Sequence, residues 1–132
     1  MKTALARILL ALPGLFILTT GVVFLTNPEA ASAKLLLEAA GPEGLSNLRG
    51  MAGAPLFSVG AMLLLAAVTR KLEYARPAAL FLVVLVGARI LSHAVDGPTE
   101  ALALFVAVPS VAFALMLGGH KLLVAEGGVR AA

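Results

Sequence analysis

The chain has no cysteine and no tryptophan, and it has one tyrosine among its 132 residues. The missing thiols exclude disulfides, thiolate metal sites, iron–sulfur clusters and thiol–disulfide relays. Charge is scarce as well, because 13% of the residues are charged while 61% are hydrophobic. A soluble domain of this size could not bury so much apolar surface in one core, so the composition predicts a membrane protein.

Long uncharged runs occupy most of the chain. Residues 8–28, 50–69 and 101–120 contain no Asp, Glu, Lys or Arg, and residues 77–95 contain only Arg89. Each run approaches the ~20 residues that a helix needs to cross a bilayer. They predict an all-α integral membrane four-helix bundle, a single domain over 1–132 with spans at about 5–26, 47–69, 76–95 and 100–119. No room remains for a soluble catalytic domain.

The distribution of basic residues predicts the orientation. Seven of them fall on one side of a four-span model, namely Lys2, Arg7, Arg70, Lys71, Arg76, Lys121 and Arg130. Only Lys34 and Arg49 fall on the other side. The excess places both termini in the cytoplasm of a multi-pass protein of the cell (inner) membrane. The first apolar run is longer than the core of a signal peptide, so we interpret it as an uncleaved anchor.

The link between the first two spans has its own helix signals. Asn27 is a suitable cap, Pro28 suits the first helical position, and Glu29 lies near the positive end of the helix dipole. Gly41 followed by proline is a stop signal. A short interfacial helix is therefore predicted at about 28–40.

The second span begins, by the same criteria, at a Ser46 or Asn47 cap. Arg49 then falls in its first turn, on the unfavourable side of the helix dipole, which indicates that something else requires it there. Small residues recur along this span and predict close helix packing; they are Gly50, Gly53, Ala54, Ser58 and Gly60.

The third span carries the only concentrated polar chemistry. On a helix, Arg89, Ser92, His93 and Asp96 can share one face. An arginine inside a membrane segment cannot lose its proton and needs an anion or a wet cavity. One interpretation is structural, with Arg89 paired to acidic groups; Glu43 and Glu100 are the predicted counter-ions.

The other interpretation is an anion pocket. In it Arg49 and Arg89 bind a lipid headgroup, a quinone oxygen or a small anion, with His93 as a proton carrier. A divalent metal at His93, Asp96 and Glu100 is disfavoured by the neighbouring Arg89. No cofactor is indicated. The predicted partners are membrane lipid, a second copy or a larger membrane complex, and no nucleic acid.

Two other functions stay open, a small homo-oligomeric transporter and an accessory subunit of a membrane complex. Four-helix multidrug exporters carry an acidic residue in the first span and aromatic residues around the binding site. This first span has no acidic residue, and the chain has few aromatic residues. An enzyme is not expected, because the sequence shows no nucleophile–base pair, dinucleotide loop or metal-ligand set.

Two motifs carry a family resemblance. They are Asn47-Leu48-Arg49-Gly50-Met51 with Gly53, and Gly87-Ala88-Arg89-Ile90 with Ser92, Asp96 and Gly97. Over residues 5–123 the chain resembles a bacterial family of four-span membrane proteins, domain of unknown function 4345, distantly similar to DoxX-like proteins. The resemblance implies a four-helix bundle in which Arg49, Arg89 and Asp96 recur, and it implies no activity. Some DoxX-like proteins are associated with quinone-linked sulfur oxidation, which these residues do not independently indicate.

Overall fold

The computed structural model describes residues 2–34, 41–97 and 102–125. Within these ranges the chain is helical and contains no strand, which confirms the predicted all-α fold. In chain order the elements are α1 (Lys2–Thr26), α2 (Pro28–Lys34), α3 (Gly41–Leu48), the π-helical turn Arg49–Gly53, α4 (Ala54–Thr69), the 3₁₀ turn Leu72–Tyr74, α5 (Ala75–Asp96) and α6 (Leu102–Ala125).

Four helical segments are long and apolar enough to cross a membrane. They are Thr3–Thr26, Gly41–Thr69, Leu72–Val95 and Leu104–Ala125. α1 packs against α4 and α6, and α5 packs against the same two helices, so α1 and α5 stand at opposite corners of a four-helix bundle. We call the end at which α1 begins proximal and the end at which α1 and α5 finish distal. The chain is thus a multi-pass membrane protein.

The first helix break follows the predicted cap chemistry. α2 begins at Pro28 with Glu29 in its first turn, and the Asn27 side chain accepts a hydrogen bond from the Ala30 N–H at 3.2 Å. The described part of α2 ends at Lys34, and residues 35–40 of the predicted interfacial helix lie outside the described residues.

The predicted start of the second span was wrong. The helix begins at Gly41, not at Ser46 or Asn47, and runs through α3 and the π-helical turn into α4. Gly41 adopts the left-handed conformation, with φ of +67°, which glycine tolerates without steric cost. Arg49 therefore lies inside a continuous helix, well beyond its first turn.

The α1–α4 interface is the tightest part of the bundle, and we call it the glycine seam. Gly14 and Gly21 of α1 lie against the second span, and Gly53 and Gly60 of the second span lie against α1. A Cβ on Gly21 would lie 2.8 Å from the Cα of Phe57, and one on Gly60 would lie 2.6 Å from the Cβ of Leu18. In lipid, where apolar burial drives helix association weakly, such close approach supplies the packing energy.

This seam corrects one detail of the predicted packing. Gly50, Ala54 and Ser58, spaced every four residues, are exposed, whereas Gly53 and Gly60 make the contact. The pattern that predicts the seam is the seven-residue spacing of Gly14 and Gly21, matched by that of Gly53 and Gly60.

The buried core lies in the proximal and middle parts of the bundle. It contains Leu10 and Ile17 of α1, Leu63 of α4, Leu82 of α5 and Met116 of α6. The fourth span is longer than predicted, because α6 continues to Ala125. Near the end of this helix, Leu123 is buried in the core.

Candidate functional site at the distal end of the bundle

Arg49 is held by the end of the neighbouring helix. Its Nε donates a hydrogen bond to the Leu25 carbonyl at 3.1 Å, in the last turn of α1. The last carbonyls of a helix lack partners in their own helix, and they carry the negative end of its dipole. Arg49 is thus favourably placed with respect to α1, which gives the reason for a cation at this position that the second span alone could not supply.

Arg89 has a different partner, on α6. Its guanidinium carbon lies 4.9 Å from the centroid of the Phe105 ring, a cation–π distance. The ring is neutral, so it orients the guanidinium without cancelling its charge. Among the side chains that the structure describes, no carboxylate lies within ion-pair distance of Arg89.

The position of Arg89 follows from the course of α5. Ala75, Ala78 and Leu82 form the buried stripe of this helix, and Arg89 and His93 continue the same stripe at helical spacing. Burial falls along it, since Leu82 is 2% exposed, Arg89 is half-buried and His93 is exposed. The core-facing stripe of α5 therefore emerges from the packed bundle at its distal end.

The other predicted site residues lie close by in sequence but differ in what the structure shows of them. Ser92 is exposed on α5. Asp96 is the last residue of α5, and its side chain lies outside the described part of the molecule. Glu100, one of the two predicted counter-ions, falls outside the described residues altogether.

Glu43, the second predicted counter-ion, is exposed in the first turn of α3. Within the described residues its carboxylate makes no ion pair with either arginine. The ion pair that the described residues do form lies at the proximal end of the bundle. It joins Lys71 and Glu73 at 3.9 Å, and both side chains are largely exposed. The described carboxylates therefore leave both distal arginines uncompensated.

The two arginines contact different helices. Arg49 donates a hydrogen bond to α1, and Arg89 of α5 stacks on the Phe105 ring of α6. The structure thus gives each a separate neutral partner, and the shared pocket that the sequence suggests stays a prediction. Sequence reasoning missed both partners, since a backbone carbonyl has no residue-type signal. Phe105, an aromatic residue near the start of the fourth span, is the residue type that could have indicated a partner for Arg89.

An apolar groove lies between α1 and α6, away from this polar cluster. Its volume is about 320 Å³, and it is lined by Leu12, Pro13, Phe16, Val108, Val111 and Leu115, among others. It offers no polar group that could orient a reacting substrate. Among the described residues, no cluster of three His, Asp or Glu side chains could hold a metal ion.

Comparison with known proteins identifies the family. A family model, domain of unknown function (DUF4345), matches residues 5–119. No curated protein and no solved structure matches the chain. The similarity to DoxX-like proteins and the bacterial source stay predictions. Since the match covers most of the chain and the four helices agree with a four-span protein, the chain belongs to the DUF4345 family.

Proposed function

We propose that this protein is a non-enzymatic membrane bundle whose distal end binds an anionic oxygen group through Arg89. The observation that carries the proposal is the contact of the Arg89 guanidinium with Phe105 at 4.9 Å, without a described carboxylate in ion-pair distance. The residues that the structure describes orient the charge but do not neutralise it. At membrane depth an uncompensated arginine costs about 3 kcal/mol or more, so an anion that enters the site is stabilised by the relief of that cost.

The geometry of the contact favours a phosphate or carboxylate group. Stacking on a ring occupies one face of the planar guanidinium and leaves its in-plane N–H groups available. These form a fork that matches two oxygens of one anion. His93, exposed one turn beyond Arg89 on the same stripe, adds an imidazole next to the anion. The headgroup phosphate of a lipid and free phosphate share this chemistry.

Native mass spectrometry in mild detergent tests the proposal with Arg89→Gln and, as a matched control, Arg76→Gln. The control removes one positive charge from the exposed proximal end of the same helix. We expect Arg89→Gln to bind an added anionic phospholipid about tenfold more weakly, equivalent to about 1.4 kcal/mol, with helicity retained. Arg76→Gln should bind it as the wild type does.

Equal lipid binding by Arg89→Gln and the wild type would contradict the proposal. A parallel titration with inorganic phosphate separates the two sources of the anion. Competition by phosphate at millimolar concentration indicates a small-anion site, and its absence indicates that the lipid tails contribute to binding.

An assembly role is the second candidate, and the exposure of α5 favours it. In the most hydrophobic 18-residue stretch of α5, 11% is buried within the chain. The corresponding share is 28% to 33% in the other three spans. A second copy or another membrane protein would cover this helix in an accessory subunit or homo-oligomer. The mass of the complex in mild detergent tests it, and a monomeric mass without bound protein would argue against it.

The proposed orientation places the proximal end, with the basic residues Arg70, Lys71 and Arg76, in the cytoplasm. The site at Arg89 would then face the opposite side of the inner membrane. A reporter that is active only in the cytoplasm should be active when inserted at Arg70 and inactive when inserted at Gly97. The reverse pattern would overturn the orientation.

A further inference from the structure

The two ends of the α1–α4 pair carry the same contact in reciprocal form. At the proximal end the Nε of Arg7, on α1, donates to the Ala67 carbonyl at 3.0 Å, in the last turn of α4. At the distal end the Nε of Arg49 donates to the Leu25 carbonyl at 3.1 Å, in the last turn of α1. Each helix thus sends an arginine to the carbonyl end of its antiparallel neighbour.

Both carbonyls lie where helix hydrogen bonding ends. α1 stops before Asn27, and the following Pro28 has no N–H to continue the ladder. α4 stops at Thr69, where Arg70 adopts the left-handed conformation and donates its N–H to Ala66. A guanidinium satisfies one unpaired carbonyl at each end and interacts favourably with the dipole of that helix.

The π-helical turn explains how Arg49 reaches α1. In this turn the Ala54 N–H bonds to the Arg49 carbonyl, five residues back, just before Pro55. A π-helical turn holds one residue more than an α-helical turn, so it rotates everything on its distal side by about 100° relative to an uninterrupted α-helix. Gly53, within the turn, lies against Leu25. The turn therefore determines the direction in which Arg49 points from the second span.

We infer that the π-helical turn is a conformational device that aims Arg49, and that Arg49 and Arg7 form a pair of clasps closing the α1–α4 pair at its two ends. The glycine seam sets the register between the clasps. The clasps keep the ends of both helices from opening where the seam no longer holds them. The inference does not depend on the proposed anion site at Arg89.

Hydrogen exchange followed by mass spectrometry, on the full chain in a lipid nanodisc, tests each clasp separately. Arg49→Gln should speed exchange about tenfold or more in α3, the π-helical turn and the last turn of α1, and leave the proximal ends unchanged. Arg7→Gln should speed exchange at the proximal ends of α1 and α4 and leave the distal end unchanged. Deleting Ala52 converts the π-helical turn to an α-helical one, so it should reproduce the distal effect of Arg49→Gln.

Gly50→Ala is the matched control for the deletion, since a Cβ there meets no atom within 4 Å and the turn keeps its length. It should exchange as the wild type does. Wild-type exchange at the distal end of Arg49→Gln would overturn the clasp. A distal effect in Arg49→Gln but none in the Ala52 deletion would overturn the role of the turn.

Arg49→Lys keeps the inference testable if Arg49→Gln fails to fold. Lysine retains a charged donor, so the variant should fold and show distal exchange between that of the wild type and that of an open end. Global unfolding of Arg49→Lys would overturn the assignment of a local clasp.

Discussion

The glycine seam and the distal half of α5 belong to membrane-length helices of similar mean hydropathy, but they lie in opposite environments. Along the seam, Gly21 and Gly60 bring two backbones so close that a methyl group would overlap the neighbour. Along the core-facing stripe of α5, exposure rises from 0% at Ala78 to an exposed side chain at His93, and a Cβ on Gly87 would meet no atom within 4 Å. Hydropathy alone does not distinguish the two.

The difference shows how this molecule separates stability from chemistry. Helices in lipid associate through close packing, so the seam leaves no space for a ligand. Where α5 leaves the packed core, the bundle exposes a helix face, and its one intramembrane arginine lies on that part. The seam holds α1 and α4 together, and the exposed distal half of α5 carries Arg89, Ser92 and His93.

Gly60→Ala should have the largest effect on stability, because it places a methyl group inside the glycine seam. The new Cβ would meet the Leu18 backbone and side chain, which cannot shift without separating α1 from α4. We expect a loss of about 3 kcal/mol in the free energy of unfolding, from the range for overpacked cores. Titration from mild detergent into dodecyl sulfate, followed by circular dichroism, measures it.

The control for this substitution is Gly50→Ala, the same change in the same span at an open position. It should not destabilise the protein. A Gly60→Ala variant as stable as Gly50→Ala would show that the seam is not as close as described.

Truncation along α5 should give an intermediate effect that depends on position. Leu82 is buried in the core, so Leu82→Ala should cost about 2 kcal/mol through lost packing and a residual cavity. Val95→Ala should change stability by less than about 0.5 kcal/mol, as expected of exposed positions. Both are read from the same titration, and equal losses would mean that the distal half of α5 is covered.

Gly87→Ala should have a smaller effect than Leu82→Ala, and one of opposite sign to Gly60→Ala. An exposed glycine within a helix costs about 0.5 to 1 kcal/mol relative to alanine, and no neighbour obstructs the methyl group here. The variant should be more stable by up to that amount in monodisperse detergent. Destabilisation by Gly87→Ala would indicate that a second chain packs closely on α5, which supports the assembly role.

Much of the fold could be predicted because it depends on local properties. The four spans followed from the charge-free runs, and the start of α2 followed from the cap at Asn27. The start of the second helix was placed too late because Gly41 followed by proline is a stop signal, whereas here the next helix begins at Gly41. The end of the fourth span was missed because Gly118 and Gly119 usually stop a helix, whereas here Gly119 allows close contact with Ala6.

The candidate site was predicted by residue type but not by contact. The sequence singled out Arg49 and Arg89 as cations that need partners, and it proposed carboxylates as the partners. Within the described residues the partners are instead a carbonyl for Arg49 and an aromatic ring for Arg89. Neither partner carries charge, so charge patterning could not point to them.

The amino-acid sequence by itself determined how many helices are long and apolar enough to cross a membrane, where the helix break at Asn27 falls and that Arg89 lies within an apolar span. Each of these depends on residues within one or two turns of each other. Only the tertiary structure decided which glycines meet, that Arg49 bonds to α1, and that the core-facing stripe of α5 emerges at the distal end. Those outcomes depend on the spacing between helices far apart in the chain, which no local pattern contains.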